Sequence, residues 1–178
     1  MPLARLDHLI DRLAARMRSH ELSLVTAESC TGGRLASTIV DHPSASGMLE
    51  RGFIVYSHDA KCELLGLNRR DVEACDGVSE DIARNLACAA LSKSHADLSV
   101  AITGFAGPRV GDEEVGLVHI AVASQAGLDH QALHLGNIGR SAVTSRAMAA
   151  ALEMLITHVS TACGMRSRIE QATGATAN

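Results

Sequence analysis

The stretch LSLVTAESCTGGRLASTIVDH, residues 22–42, passes from the pattern of a strand to that of a helix within a few residues. LSLVTAE is an apolar run of strand length, and the residues from Cys30 to His42 carry apolar side chains at helical spacing. The turn between them, ESCTGG, combines a serine, a cysteine and a threonine with a glycine pair. A buried strand that runs through a polar turn into a helix is the building unit of α/β proteins.

The rest of the chain continues this alternation. Apolar spacing predicts an opening helix over residues 2–20, and the further helices are predicted at 60–67, 78–96 and about Gly139–Thr161. Strands are predicted at 52–57, 98–104, 115–123 and 128–136. The last two strands flank a turn at Gln125–Gly127, so they are predicted to form a hairpin. We therefore expect one α/β sandwich domain whose sheet is mixed.

Composition limits the classes of function. The chain has 178 residues, enough for one domain, and 47% of them are hydrophobic although only two Phe and one Tyr are present. The net charge is -4, and no cluster of Lys and Arg forms a footprint for phosphate backbones, which argues against a nucleic-acid partner.

The cysteines and the apolar runs indicate the compartment. Five cysteines without CxxC spacing argue against a disulfide framework or a structural zinc site and favour a reducing cytoplasm. The first twenty residues are amphipathic and do not resemble a signal peptide. No apolar stretch approaches the ~20 residues that a membrane helix needs. We expect a cytoplasmic protein without a membrane partner.

Candidate functional residues follow the predicted strands, at the edge where α/β sheets bind ligands. Three glycine-bearing segments fit that edge: 28–33, 56–61 and 103–108. The side chains that they bring together are Ser29, Tyr56, Lys61 and Thr103.

Each of these residues has a plainer structural interpretation. Ser29 or Thr31 could cap the following helix, Tyr56 could end a strand, and Lys61 could be a solvated lysine in the first turn of a helix. Cys30 is an alternative nucleophile, because a helix N-terminus lowers a thiol pKa, but a buried small apolar residue is the commoner role. Nine histidines are present, but HxH and HExxH are absent, so no metal site is predicted.

The motifs together are more specific than any one residue. TAESCTGG, then P-x-x-S-x-x-x-x-x-G-x-x-x-Y-S-x-x-x-K, then VSE, then TGxAGP, in this order, resemble the CinA C-terminal domain family, the nicotinamide mononucleotide amidohydrolases. The resemblance covers about Leu24 to Leu155. It implies a three-layer α/β/α sandwich with a mixed, mostly parallel sheet. It also implies hydrolysis of the carboxamide of nicotinamide mononucleotide to the acid and ammonia, with neither cofactor nor metal.

The resemblance also implies roles for particular residues. Ser29 corresponds to the nucleophile, and Tyr56 and Lys61 to its partners. Lys61 could act as the base only if desolvation lowers its pKa, and Tyr56 would relay the proton or orient Lys61. The expected substrate-binding residues, including backbone donors for the oxyanion and the nucleotide phosphate, are Cys30, Thr31, Gly32, Gly33, Ser46, Thr103, Gly104, Gly107 and Arg140.

Two loops depart from the family pattern, at 44–51 and 109–115, and the second has acids where family members often have a lysine. In the closing motif Arg140 keeps its place, but an aspartate becomes Gly139 and an arginine becomes Thr144. Substrate preference is therefore open among pyridine carboxamides. The alternatives are a nucleotide-binding or regulatory domain with weak catalysis and, third, a thiol redox protein that uses Cys30.

The expected organisation is a single domain over residues 1–163 and a polar, disordered tail over 164–178. The expected partners are a small-molecule pyridine nucleotide and further copies of the chain, with a dimer favoured.

Overall fold

The computed structural model describes residues 3–174, and it describes side chains over residues 5–161. The helices are α1 (Leu3–Ser19), α2 (Arg34–Asp41), α3 (His58–Leu65), α4 (Arg69–Ala74), α5 (Glu80–Ser92) and α6 (Arg140–Gly174). The strands are β1 (Leu24–Glu28), β2 (Leu49–Ile54), β3 (Leu98–Gly104), β4 (Leu117–Ser124) and β5 (Gly127–His134). A short 3₁₀ helix at Ser46–Met48 precedes β2.

The strands form one mixed sheet in the order β2-β1-β3-β4-β5. β1 pairs in parallel with β2 and β3, whereas β4 is antiparallel to β3 and β5. Among the described strands, β4 is therefore the one that is antiparallel to the others, which confirms the predicted mixed sheet and the hairpin. The register matters for the site, because β1 ends at Glu28 opposite Ile102, close to the end of β3 at Gly104.

Alternation along the central strands divides the apolar residues between two layers. In β3, Val100 and Ile102 pack in a cluster with α1, α2 and α6, whereas Ala101 packs on the opposite face with α5. Both faces of β3 are buried from Leu98 to Thr103, as expected for a strand covered by helices on both sides. The three-layer α/β/α sandwich is therefore confirmed.

Two predicted boundaries were wrong at the edge of the sheet that matters for function. Residues 30–33 form a turn, and α2 begins only at Arg34, because its N-cap Gly33 has a left-handed φ of 88°. A side chain at Gly33 would also meet the Ile54 Cδ1 atom at 2.8 Å, so the positive φ and this contact both favour glycine there. The predicted strand at 52–57 lies at Leu49–Ile54, which places Tyr56 in the segment after the strand.

One helix was missed. α4 spans six residues, too few for helical periodicity to stand out in a sequence, and its N-terminus is capped by the Asn68 side chain, which accepts from the Arg70 N–H at 2.9 Å. This helix leads into the segment 75–79 that precedes α5, and that segment borders the candidate site.

The prediction of a disordered tail at 164–178 stays a prediction, because the side chains from residue 162 onward and all of 175–178 lie outside the described part. Within the part that is described, none of the helices is both long and apolar enough to span a lipid bilayer.

Candidate active site

Ser29 is held at the carboxyl end of β1 by the main chain. Its N–H donates to the carbonyl oxygen of Ile102 at 2.9 Å, and its own carbonyl accepts from the N–H of Gly32 at 3.0 Å. The residue is 7% exposed. The pairing of β1 with β3 therefore fixes the serine where the strand turns toward α2.

Lys61, in the first turn of α3, directs its amine at this serine. The Lys61 Nζ atom lies 3.1 Å from Ser29 Oγ and donates to the carbonyl oxygens of Val55 at 3.0 Å and Tyr56 at 3.3 Å. The whole residue is only 2% exposed. Desolvation lowers the pKa of this amine below the 10.5 of an ordinary lysine, and the nearest acidic groups only partly oppose that effect.

The three contacts of the Lys61 amine suit a proton acceptor. A charged ammonium has three N–H donors, and the oxygens of Ser29, Val55 and Tyr56 can each accept one. A neutral amine would keep two donors for the carbonyls and turn its lone pair to the Ser29 hydroxyl. Losing one proton therefore converts the amine from a donor to Ser29 into an acceptor without moving a side chain.

The turn that follows Ser29 leaves main-chain donors unused. The N–H groups of Cys30 and Thr31 donate to no acceptor among the described residues. The first N–H groups of α2 are satisfied differently, because the buried Glu28 carboxylate accepts from Leu35 at 3.0 Å and from Ala36 at 2.8 Å. Glu28 thus anchors the start of α2, and the two N–H groups beside Ser29 stay available for an oxyanion.

Cys30 follows Ser29 in the chain, and its thiol is buried. It is 5% exposed, and desolvation raises the pKa of its thiol to about 12. Such a thiol stays protonated near neutral pH, so it is neither a ready nucleophile nor a redox centre. The capping interpretation of Ser29 and Thr31 is also wrong, because the N-cap of α2 is Gly33.

A cavity of about 850 Å³ opens in front of Ser29 and Lys61. The predicted site residues that line it are Ser29, Cys30, Tyr56, Lys61, Gly104, Gly107 and Arg140. Within the described part of the chain, no group of three or more His, Cys, Asp or Glu side chains could hold a metal ion. The Ser29 hydroxyl and the Lys61 amine both line this cavity.

Tyr56 and Arg140 lie together at the mouth of this cavity. Tyr56 is 62% exposed, and its hydroxyl accepts from the Arg140 Nη2 group at 3.4 Å. Arg140 Nη1 donates to the carbonyl of Gly107 at 2.8 Å. The contact of Tyr56 with Lys61 uses the main-chain carbonyl, so the hydroxyl contacts Arg140 and does not relay a proton to the lysine in this geometry.

Five residues of the expected set do not line the cavity: Thr31, Gly32, Gly33, Ser46 and Thr103. Ser46 precedes β2, and β2 runs parallel to β1, so within this chain it lies at the opposite end of the sheet from Ser29. Thr103 is fully buried, and its hydroxyl donates to the carbonyl of Gly77 at 2.7 Å. A substrate in the cavity would not reach either side chain directly.

Four carboxylates line the cavity, and together they form its outer wall: Glu73, Asp76, Asp112 and Glu113. They outnumber the lining cations Lys61 and Arg140. Glu113 also orders its own loop, because its carboxylate accepts from the N–H groups of Val110 and Gly111, and these bonds lower its pKa. Asp76 pairs with His58 at 2.9 Å. Arg140 therefore supplies the guanidinium that could bind an anionic group in a cavity otherwise lined by several carboxylates.

Sequence reasoning missed two residues that shape the site. Glu28 is an acid at the end of a buried strand, and that placement could have indicated a cap for the helix that follows. Gly77 packs against Lys61, and its Asp76-Gly77 dipeptide signals only a turn.

Comparisons with known proteins agree with this architecture. The family model for the CinA C-terminal domain matches residues 6–159. Nicotinamide-nucleotide amidohydrolase PncC of Escherichia coli K12 is 35% identical over 154 residues, which cover 85% of this chain and 93% of that protein. A CinA-like protein of Chlorobium limicola is 43% identical over 122 residues, which cover 67% of this chain but only 28% of that longer protein.

Solved structures give the same result. The competence/damage inducible protein CihA of Agrobacterium tumefaciens superposes with a TM-score of 0.83 and 36% identity, over 88% of this chain and 98% of that one. A CinA superfamily protein of Escherichia coli has a TM-score of 0.81 and 30% identity, over 88% of this chain and 92% of that one.

Proposed function

The chain belongs to the CinA C-terminal domain family, and we propose that it is an amidohydrolase that converts the carboxamide of nicotinamide mononucleotide to a carboxylate with release of ammonia. The observation that carries the proposal is the buried contact of 3.1 Å between Lys61 Nζ and Ser29 Oγ beside the cavity. The similarity to a nicotinamide-nucleotide amidohydrolase supports the choice of substrate.

In the first half of the proposed reaction, neutral Lys61 takes the proton of the Ser29 hydroxyl while Ser29 Oγ forms a bond to the amide carbon. The carbonyl oxygen becomes an oxyanion, which the unused N–H groups of Cys30 and Thr31 stabilise. The C–N bond then breaks, the proton on Lys61 passes to the departing nitrogen, and ammonia leaves. An ester between Ser29 and the pyridine carbonyl remains.

In the second half, water attacks that ester. Lys61, neutral again, accepts a proton from the water, and the oxyanion forms a second time against the same N–H groups. The C–O bond to Ser29 breaks, the serine recovers its proton from Lys61, and the carboxylic acid product gives its remaining proton to solvent and leaves as the carboxylate. The same lysine therefore serves both halves, as a Ser–Lys variant of the serine-triad mechanism requires.

We propose that a positive group of the protein binds the phosphate of the substrate and that negative groups bind its pyridinium ring. The Arg140 guanidinium, at the mouth of the cavity and at the start of α6, contacts the phosphate of the nucleotide. The pyridinium ring of this substrate is a cation, and the carboxylates of the outer wall favour it. Tyr56 holds Arg140 in place through its hydroxyl.

The test is release of ammonia and formation of the nicotinate nucleotide from nicotinamide mononucleotide, measured for the parent protein and for Ser29→Ala. We expect the parent to release both products in equal amounts and the variant to release neither above background. If both proteins bind the nucleotide, as a thermal shift would show, and neither hydrolyses it, the chain is a nucleotide-binding domain and the proposed activity is wrong.

A further inference from the structure

The Lys61 side chain is covered by a main-chain segment and not by other side chains alone. Gly77, in the segment between α4 and α5, packs so closely that a Cβ atom there would lie 3.1 Å from Lys61 Cε and 3.3 Å from Nζ. The φ of Gly77 is +69°, a conformation that glycine adopts readily. The segment can approach the amine this closely because residue 77 has no side chain.

Two hydrogen bonds hold this glycine in place. Its carbonyl accepts from the hydroxyl of Thr103 in β3 at 2.7 Å, and its N–H donates to the carbonyl of Val72 in α4 at 2.7 Å. Thr103 and Gly77 are both buried, so water does not replace the Thr103 bond. The sheet therefore fixes one side of the Gly77 peptide and α4 fixes the other.

We infer that Thr103 is a positioning residue that acts through Gly77: its hydroxyl holds the Gly77 peptide against Lys61 and so keeps the amine beside Ser29 out of water. The inference rests on the proposed function only where it treats Lys61 as a base. Thr103 does not line the cavity, so this role does not depend on contact with substrate.

The other groups around the Lys61 amine do not account for its low pKa. The titratable neighbours are the thiols of Cys30, Cys62 and Cys75 and the carboxyl of Asp76, and each of them in its ionised form would raise the pKa of Lys61. Asp76 has an exposed side chain and is paired with His58. Burial is what lowers this pKa, and the Gly77 peptide is part of what buries the amine.

The test uses an unusual feature of the composition: Lys61 and Lys93 are the only lysines in the chain. Protein labelled with ¹³C at the lysine ε carbon gives two signals, and their pH titration reports the pKa of each amine. Thr103→Val keeps the shape of the side chain but leaves the buried Gly77 carbonyl unpaired, so the segment should open toward water. We expect the Lys61 pKa to rise by about one unit or more, toward the ordinary value of a lysine, and the Lys93 signal serves as the internal reference.

Two variants separate positioning from general destabilisation. Thr103→Ser keeps the hydroxyl and should titrate like the parent. Ser99 lies in the same strand, and its buried hydroxyl donates to the carbonyl of Ala87 in α5 at the same 2.7 Å. Ser99→Ala should therefore cost a comparable hydrogen bond and leave the Lys61 titration where it was.

The inference is overturned if Lys61 titrates alike in Thr103→Val and the parent, or if Ser99→Ala shifts it equally. Should Thr103→Val not fold, Gly77→Ala tests the same segment, because its methyl group must push the peptide and Lys61 apart. An unchanged Lys61 pKa in that variant also overturns the inference. These titrations need no substrate, so a protein that shows the shifts but hydrolyses no nucleotide contradicts the proposed function alone.

Discussion

Ser29 and Ser124 each have the partners of a nucleophile, and they lie at opposite ends of the sheet. Ser29 contacts the Lys61 amine at 3.1 Å. The hairpin cluster (Ser124, Asp129 and His158) has a more familiar arrangement, with His158 Nε2 at 2.7 Å from Ser124 Oγ and His158 Nδ1 at 2.6 Å from Asp129 Oδ2. By hydrogen-bond distances alone, the second cluster is the better serine nucleophile.

Their surroundings reverse that ranking. Ser124 pairs with Leu98, at the beginning of β3, whereas Ser29 follows the other end of the neighbouring strand. None of the hairpin cluster lines the cavity, and the Ser124 hydroxyl also accepts from the N–H of Ala126 in the hairpin turn. The cluster ties α6 to the β4–β5 hairpin. Under the proposed mechanism, a cavity and unused main-chain donors, rather than a hydrogen-bonded chain of side chains, distinguish Ser29 from Ser124.

The largest expected difference is kinetic. Lys61→Met should lower kcat for ammonia release by at least about 10³-fold, because an unassisted hydroxyl is a weak nucleophile. Ser124→Ala should change kcat less than about twofold, since that serine lies outside the cavity. Both are measured in one ammonia assay, with circular dichroism as the check on folding. Loss of activity in Ser124→Ala with an intact fold would contradict a purely structural role for the hairpin cluster.

The pH dependence distinguishes a lysine from a histidine as the base. The pKa of Lys61 is lowered below 10.5 but starts from a lysine value, and only the neutral amine accepts a proton. We expect kcat/KM to rise about tenfold per pH unit until the Lys61 pKa is reached. His158→Gln should leave this profile in place. A flat profile, or a limb that moves in His158→Gln, contradicts the assignment.

Burial of Lys61 also predicts how stability changes with pH. Between the lowered pKa of the folded state and 10.5, the unfolded chain binds more protons than the folded one, so the free energy of unfolding rises with pH across that window. Lys61→Met removes this slope. Urea unfolding of both proteins at several pH values measures it, and parallel curves would contradict it.

Removal of the Arg140 side chain should have a smaller effect on activity than removal of the Lys61 amine. If it binds phosphate, Arg140→Ala should raise KM for nicotinamide mononucleotide more than about tenfold, the loss of a contact worth ~1.5–3 kcal/mol, and leave kcat nearly intact. Nicotinamide riboside lacks the phosphate, so parent and variant should hydrolyse it about equally. Equal impairment toward both substrates would instead assign Arg140 to folding, assembly or chemistry.

These regions also show how far the sequence predicts the molecule. Apolar periodicity was sufficient for the α/β sandwich, the mixed sheet and the hairpin, since each depends on a long local pattern, whereas the three layers were implied by the family resemblance. Ser29 and Lys61 were predicted as partners because both follow strand ends and carry family motifs. Ser46 does not reach the cavity because it precedes β2, which runs parallel to β1, and the pairing of these two strands is not a local pattern in the sequence.

Contacts between distant segments account for the remaining differences. The bond from Thr103 to Gly77 spans two elements, so its sequence signal is only a threonine in a strand and a glycine in a turn. The hairpin cluster is equally non-local, because His158 lies 34 residues after Ser124. Local propensity predicts the elements, whereas the pairing of side chains from different elements requires the fold.

The smallest expected effect concerns the hairpin cluster as a structural tie. His158 is 5% exposed and bonded at both ring nitrogens, so His158→Gln should lower the free energy of unfolding by about 1–3 kcal/mol while ammonia release changes less than about twofold. Arg5→Ala is the control. It removes a solvent-exposed salt bridge of 3.0 Å to Glu153, which lies on α6 like His158, and such a pair is worth about 0–1 kcal/mol. Urea unfolding gives both values. If His158→Gln is as stable as the parent, the cluster is not a structural tie, and its hydrogen bonds need another explanation.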